Sequence, residues 1–341
     1  MIVVTGGTGH IGNVLLRELV NSGQRVRAMV LPGEDRTPIS ALDVEIVSGD
    51  IRDADATARI FRGADLVYHL AGIVSILPGQ SAALNEVNVR GTANVIEACL
   101  KTGVPRLVYT SSIHALAEPP HGIVINESRP FDPACVLGDY ARSKACATLE
   151  VLRGVRRGLD AVVVCPTGVI GPYDYKVSEM GQLILDFLRK RLKMFVNGAY
   201  DFVDVRDVAT GIVLAGAKGR RGESYILSGE RITVRGLLDT LEKITGIKAP
   251  TIRIPAWLAR TLGDLATPYY RLVKTKPLFT SYSIDVLKSN SLVSSDKAKR
   301  DLGYSARPIR ESISDAVMWF SGQSSTLSGQ AKRKGAYAPA G

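Results

Sequence analysis

Apolar positions in the first half of the chain alternate between two spacings. Ile2-Val3-Val4, closed by Thr5, is a short buried-strand run. It is followed by helical spacing over His10–Ser22, with Ile11, Val14, Leu15, Leu19 and Val20 on one side and Gly23 as a stop. Gln24–Leu31, Val44–Ser48, Leu66–Leu70, Leu107–Thr110 and Ala161–Cys165 read as further strands. Ser81–Leu100 and Tyr140–Arg157 read as long helices between them. Strands alternating with helices predict an α/β fold, a doubly wound parallel sheet with right-handed crossovers.

After Pro166 the rhythm loosens, because Gly168, Gly171 and Pro172 break the chain. A helix over Glu179–Arg191, a short strand near Asp201–Val203 and a helix over Val205–Ala217 follow. This pattern predicts a dinucleotide-type domain over residues 1–170, with return segments near 201–228 and 290–320. A smaller mixed C-terminal substrate lobe takes 171–200 and 229–289. Leu258, Leu262, Leu265, Tyr269 and Leu272 form an apolar helical stripe broken by Pro268, with Arg260, Arg271, Lys274 and Lys276 beside it. Core packing, a lid on an apolar pocket and a membrane-touching surface all fit that stripe. From Gly322 the chain turns to Ser, Gly, Ala and Lys, which predicts a disordered tail over 322–341.

Composition narrows the class. With 341 residues, 45% of them hydrophobic and 22% charged, the chain can bury a large core. No apolar run approaches the roughly 18 residues of a membrane helix, so no stable membrane insertion is expected. The opening Met1-Ile2-Val3-Val4 leads straight into Thr5-Gly6-Gly7, which fits no signal-peptide core and suggests a cytoplasmic protein. The net charge of +10 comes from dispersed short groups such as Arg189-Lys190-Arg191, which resemble a solvated surface more than a nucleic-acid track. Cys99, Cys135, Cys146 and Cys165 and the four histidines show no metal-ligand spacing.

Gly6, Gly9 and Gly12 form G-x-x-G-x-x-G at the first strand-to-helix junction, beside His10 and Ile11. Such glycines let backbone approach a pyrophosphate, and a helix N-terminus offers free N–H groups to it. The residue that reads the ribose should end the second strand, where Val30-Leu31 offers neither acid nor arginine. The missing carboxylate tilts the choice toward NADP over NAD, with Arg36 within reach of a 2′-phosphate or simply exposed on a loop. Asp50-Ile51 follows the third strand, where an adenine amine would lie, although Asp50 also suits a helix cap. Leu70-Ala71-Gly72 ends the fourth strand in small residues that let a cofactor pass.

Thr110-Ser111-Ser112 tips the next strand, and Tyr140 and Lys144 stand one turn apart on the helix after it. A tyrosine near its free pKa of about 10 is a poor acid or base at neutral pH, and a neighbouring ammonium helps it. Ser112 can then hold the substrate oxygen. Tyr270-Arg-Leu-Val-Lys274 repeats the spacing by chance but follows no such strand.

Together these residues resemble the extended short-chain dehydrogenase/reductase family, also called the NAD-dependent epimerase/dehydratase superfamily. The likeness runs through Thr5-Gly-Gly-Thr-Gly-His-Ile-Gly12, Asp50-Ile51, His69-Leu-Ala-Gly72, Asn88-Val-Arg-Gly-Thr92, Thr110-Ser-Ser112, Tyr140-x-x-x-Lys144 and Pro166-Thr-Gly-Val-Ile-Gly-Pro172. Asp201-Phe-Val-Asp-Val-Arg-Asp207 and Ser295–Tyr304 extend it to roughly residues 1–320. The resemblance implies a Rossmann domain, bound NAD(P), and Tyr140, Lys144 and Ser112 as acid/base, activator and oxygen positioner. It implies Asn88 and Pro166 beside the cofactor and a possible homodimer paired through helices. Ile113-His114 replaces the acidic pair of dehydratases, and Ala115-Leu-Ala117 the Val-Tyr-Gly of sugar epimerases. The remaining pattern is similar to the dihydroflavonol-reductase and 3β-hydroxysteroid-dehydrogenase branch. That implies ketone–alcohol redox chemistry on a fairly apolar small molecule. A sugar-nucleotide epimerase and a non-catalytic NAD(P) sensor are the alternatives.

Overall fold

The computed structural model describes residues 1–75, 79–261 and 281–334. Seven parallel strands form the main sheet in the order β10-β6-β5-β4-β1-β2-β3. They are β1 (Ile2–Thr5), β2 (Val26–Val30), β3 (Glu45–Ser48), β4 (Leu66–His69), β5 (Leu107–Thr110), β6 (Ala161–Pro166) and β10 (Ser224–Leu227). The central strands are those with continuous apolar runs. Every residue of β5 and of β6 is buried, whereas edge strand β3 has none fully buried.

Each face of the sheet carries its own core. On one side Phe61 of α2 (Ala54–Phe61), Val95 and Ile96 of α4 (Gly91–Thr102), and Ala147 and Val151 of α5 (Gly138–Arg156) pack together. On the other, Leu15, Leu16 and Leu19 of α1 (His10–Asn21) meet Val208 and Ile212 of α7 (Val205–Lys218). A third cluster holds the smaller lobe, where Ile184 of α6 (Glu179–Leu188) and Leu237 and Leu241 of α8 (Val234–Thr245) meet Ile313 and Phe320. Two small sheets complete that lobe. One is β11 (Glu230–Thr233), β9 (Ala199–Asp204) and β7 (Gly168–Ile170), and the other pairs β12 (Ile252–Ile254) with β8 (Met194–Val196).

The order of connections reverses at the middle of the main sheet. From β1 the chain winds to β2 and β3 on one side, then crosses to β4, β5 and β6 on the other. In open α/β sheets such a switch point leaves a crevice beyond the carboxyl ends of the strands. Gly6 follows β1, Ala71 and Gly72 follow β4, and Ser112 follows β5, so all of these border that crevice.

Several elements differ from the sequence pattern. Helix α2 was masked by its mix of Asp, Ala and Arg, although Asp53 caps it through the Ala56 N–H. The helix expected over Ser81–Leu100 is continuous but not uniform: Ser81–Leu84 and α4 flank a π-type stretch, Asn85–Arg90. The strand near Asp201 joins the small sheet, and the segment that returns to the main sheet is β10. The final helix, Ile309–Lys334, continues past Gly322, where composition predicts a disordered tail. Ile313, Val317 and Phe320 anchor its start in the third core, and no proline occurs after Gly322 until Pro339. The Leu262–Lys276 part of the apolar stripe and the Tyr270/Lys274 pair lie outside the described residues. Among those described, no helix is long and apolar enough to cross a membrane.

The glycine turn sets the tightest packing. A Cβ on Gly12 would fall 2.1 Å from the Gly6 carbonyl oxygen, whereas one on Gly9 would meet only that oxygen, at 3.3 Å. Gly12→Ala is therefore expected to lower the unfolding free energy measured in urea by about 2–4 kcal/mol, and with it the midpoint, and Gly9→Ala by far less. Equal midpoints for the two variants would contradict this packing.

Candidate active site

The crevice is held open by a buried lock between β1, β4 and α4. Gly6 has φ +75°, and a Cβ there would lie 2.6 Å from the Ala71 nitrogen, so glycine is required for the approach. The Thr5 hydroxyl is 2.8 Å from Nδ1 of His69 and accepts the Ala71 N–H at 3.2 Å. Nε2 of His69 lies 3.0 Å from the Thr92 hydroxyl. Burial pushes His69 down to about 3, so the ring stays neutral and can serve both hydroxyls.

Helix α1 opens toward the crevice with an uncapped end. Its N-cap is Gly9, which has no side chain, and its first turn holds no carboxylate. Free N–H groups and a partial positive charge therefore face the turn. The side chains of the motif are used elsewhere. Nε2 of His10 donates to the Pro172 carbonyl, 2.9 Å away, and Ile11 packs against the core beneath the helix. Burial lowers the His10 pKa, opposed by the charge of Asp174.

The remaining predicted contacts divide. Asp50 is gripped by the Arg52 guanidinium, which holds its carboxyl below the ordinary range. Ile51 is buried against Gly91. Arg36 is exposed at the start of a short 3-10 turn, Thr37–Ile39. Leu70 donates its N–H to the Thr5 carbonyl at 3.1 Å, and Pro166 ends β6 opposite Leu227.

Ser112 and Tyr140 lie side by side, and Lys144 follows one turn later on the same helix. Ser112 leaves β5 in extended backbone, and α5 begins after Leu137, so the strand tip faces the first turns of the helix. The Ser112 hydroxyl neighbours the Tyr140 phenol closely enough to draw its pKa down. Burial pushes the phenol up to about 12, and the Ser112 hydroxyl partly offsets that. Lys144, 6% exposed, donates to the Thr110 carbonyl at 2.6 Å and to the Tyr109 hydroxyl at 3.3 Å. Among the described residues it has no carboxylate partner. Burial brings its ammonium down to about 8. A Cβ on Gly72 would lie 3.0 Å from Oδ1 of Asn88 and in ordinary contact with that nitrogen, at 3.9 Å, so the small residue keeps clear of Asn88.

Asn88 sits on the π-type stretch and braces this group. Its Oδ1 accepts the Ile73 N–H at 2.8 Å, and its Nδ2 reaches the Ile73 carbonyl and the Ser143 hydroxyl, each at 3.0 Å. Ser143 in turn donates to the Tyr140 carbonyl at 2.7 Å. Sequence reasoning missed Tyr109, Thr92 and Ser143, because hydroxyls on an apolar strand or helix carry no spacing signal. His114 lies beyond Ser112, 2.9 Å from the Tyr200 hydroxyl and stacked on its ring, and burial lowers it to about 4. Tyr173 and Tyr175 both pack on Trp319 instead.

Comparison with known proteins shows the family. The model of the NAD dependent epimerase/dehydratase family matches residues 2–228. The chain belongs to that family. Within it, the chain is 38% identical to "Sterol demethylase protein B" of Methylococcus capsulatus, over 93% of this chain and 97% of that protein. It is 30% identical to "3beta-hydroxysteroid-dehydrogenase/decarboxylase isoform 1" of Arabidopsis thaliana, over 94% of this chain and 79% of that one. The crystal structure of gox2253 superposes with a TM-score of 0.83 at 34% identity, covering 95% of this chain and 98% of its own. As an epimerase/dehydratase family member with oxidoreductase relatives, the protein is an NAD-dependent enzyme on an extended short-chain dehydrogenase/reductase fold.

The buried ammonium has a measurable cost. Charging Lys144 is harder in the fold than in the unfolded chain, so it destabilises below pH 8 and ceases to do so as pH rises toward 10.5. Lys144→Met should therefore gain most over the wild type near pH 7, on the order of 3 kcal/mol at the limit, and lose that advantage by pH 10. Urea unfolding at both pH values measures it, and an equal difference at each would refute the assignment.

Proposed function

We propose that this enzyme interconverts a ketone and a secondary alcohol on a fairly apolar small molecule, with a nicotinamide dinucleotide as its redox partner. The observation that carries the reading is the meeting of the Ser112 hydroxyl and the Tyr140 phenol at the sheet's switch point, with the Lys144 ammonium, which has no carboxylate partner among the described residues, one helical turn away. The sterol and hydroxysteroid names of the two relatives support an apolar, ring-bearing substrate.

The residues fit the dinucleotide. The uncapped start of α1 suits a pyrophosphate, and Gly72 borders Lys144 on the side where a ribose would pass. When bound, the nicotinamide supplies or takes the hydride at the carbonyl carbon. Ser112 and Tyr140 then hold the substrate oxygen between two hydroxyls. A phenol held near 12 is protonated at neutral pH, so Tyr140 is set to donate its proton as the ketone is reduced. In the reverse direction it takes the alcohol proton, and the Lys144 ammonium favours the phenolate that this requires. Lys144 bonds Tyr109 and Thr110, which leaves its third proton for a ribose hydroxyl. Asn88 and Ser143 act through Tyr140 by fixing the backbone that carries it.

Tyr140→Phe should cut turnover of a ketosteroid or similar cyclic ketone by about 10²–10⁴-fold. Binding of NADH or NADPH, followed by fluorescence, should stay within about twofold, since the phenyl ring fills the same space. A Phe variant with near-normal turnover would overturn the role given to Tyr140.

A further inference from the structure

One cross-lobe contact lies outside this chemistry. The segment from Tyr173 to Ser178 passes beside the glycine turn and is pinned to α1. The Arg17 guanidinium lies 4.5 Å over the Tyr173 ring and donates to the Tyr175 hydroxyl at 3.4 Å, and Nδ2 of Asn13 reaches the Tyr173 carbonyl at 3.1 Å. Tyr173 and Val177 have φ of +67° and +51°, a left-handed backbone that non-glycine residues adopt only when their surroundings enforce it. Between them, Lys176 extends across the turn. Its ammonium donates to the Thr8 hydroxyl at 3.3 Å and pairs with the Glu34 carboxylate. Glu34 also accepts from the Leu31 N–H at 3.4 Å, and the Thr8 hydroxyl that Lys176 bonds lies close by. Burial alone would raise its pKa, but Lys176 and the Thr8 hydroxyl outweigh that and keep it ionised. A carboxylate and an ammonium therefore meet at the middle of the G-x-x-G-x-x-G turn, just past the end of β2.

We infer, resting on the dinucleotide reading above, that the Glu34–Lys176 pair selects NAD over NADP. The end of the second strand faces the ribose of a bound dinucleotide. Ribose hydroxyls can donate to the Glu34 carboxylate while Lys176 keeps its place. A 2′-phosphate must instead pull Lys176 away, leaving Glu34 uncompensated beside a second anion, and like charges at such range repel strongly. Asp35 does not substitute for Glu34, since its carboxylate is turned onto the Thr37 N–H and hydroxyl at 2.9 and 2.6 Å. This runs opposite to the tilt toward NADP that Val30-Leu31 suggests. The acid missing from the strand end is supplied four residues later, and Lys176 of the other lobe holds it in place.

Isothermal titration calorimetry with NAD⁺ and NADP⁺ on the full chain tests the inference, because it reads affinity without turnover. The wild type should bind NAD⁺ at least about tenfold more tightly than NADP⁺. Glu34→Gln frees Lys176 for the phosphate and should lower the NADP⁺ Kd by about tenfold or more while weakening NAD⁺. Lys176→Met leaves Glu34 bare and should weaken NADP⁺ further, with NAD⁺ changing by less than about threefold. Arg36→Ala should leave the ratio where it was. Both dinucleotides binding with a ratio that neither Glu34→Gln nor Lys176→Met moves would overturn this inference alone, as would a wild type that prefers NADP⁺. A wild type that binds neither would overturn the dinucleotide reading with it.

Discussion

One buried ammonium, that of Lys144, organises the centre of this molecule. A cation removed from water costs several kcal/mol unless other groups compensate it. Here the compensation is only a carbonyl and a phenol, those of Thr110 and Tyr109, with no carboxylate among the described residues. The fold therefore maintains a positive charge that its own side chains do not neutralise, at the crevice where three strand ends converge. Such a group is poorly explained by stability. It is well explained by a negative or hydroxyl-bearing partner arriving from outside.

The surrounding architecture keeps that charge in place. Parallel strands with no polar residue to spare put the chain reversals of β1, β4 and β5 side by side. The neutral His69 ring ties Thr5 to Thr92, and Gly6 lets β1 lie against Ala71. Asn88 and Ser143 then fix the first turn of α5, and with it Tyr140. None of these contacts involves a charged group. Together they set where the phenol, the ammonium and the Ser112 hydroxyl stand relative to the uncapped helix α1.

Much of this was legible in the sequence where the signal is local. The apolar runs located the six strands β1 to β6, and the spacing of Tyr140 and Lys144 behind a Ser-tipped strand marked the candidate site. What stayed hidden depends on contacts distant in sequence. Helix α2 is only eight residues long, with its large apolar residues, Ile60 and Phe61, crowded at its end, and the π-type stretch around Asn88 has no residue signature. Glu34 and Lys176 are 142 residues apart, so their pairing is a property of the two lobes and not of any motif. Arg36 drew attention because arginine beside β2 is a known phosphate ligand type, yet it is the exposed neighbour of the residue that faces the turn.

The central claim is that this site moves a hydride to or from a carbonyl carbon and a proton through Tyr140. Mass spectrometry of the product formed from a cyclic ketone with 4-deuterated NADH or NADPH, both faces of the ring tested, addresses it directly. The account predicts an alcohol carrying one deuterium on the former carbonyl carbon, with one cofactor oxidised per product. Product without deuterium, or turnover with no net loss of reduced cofactor, would contradict it.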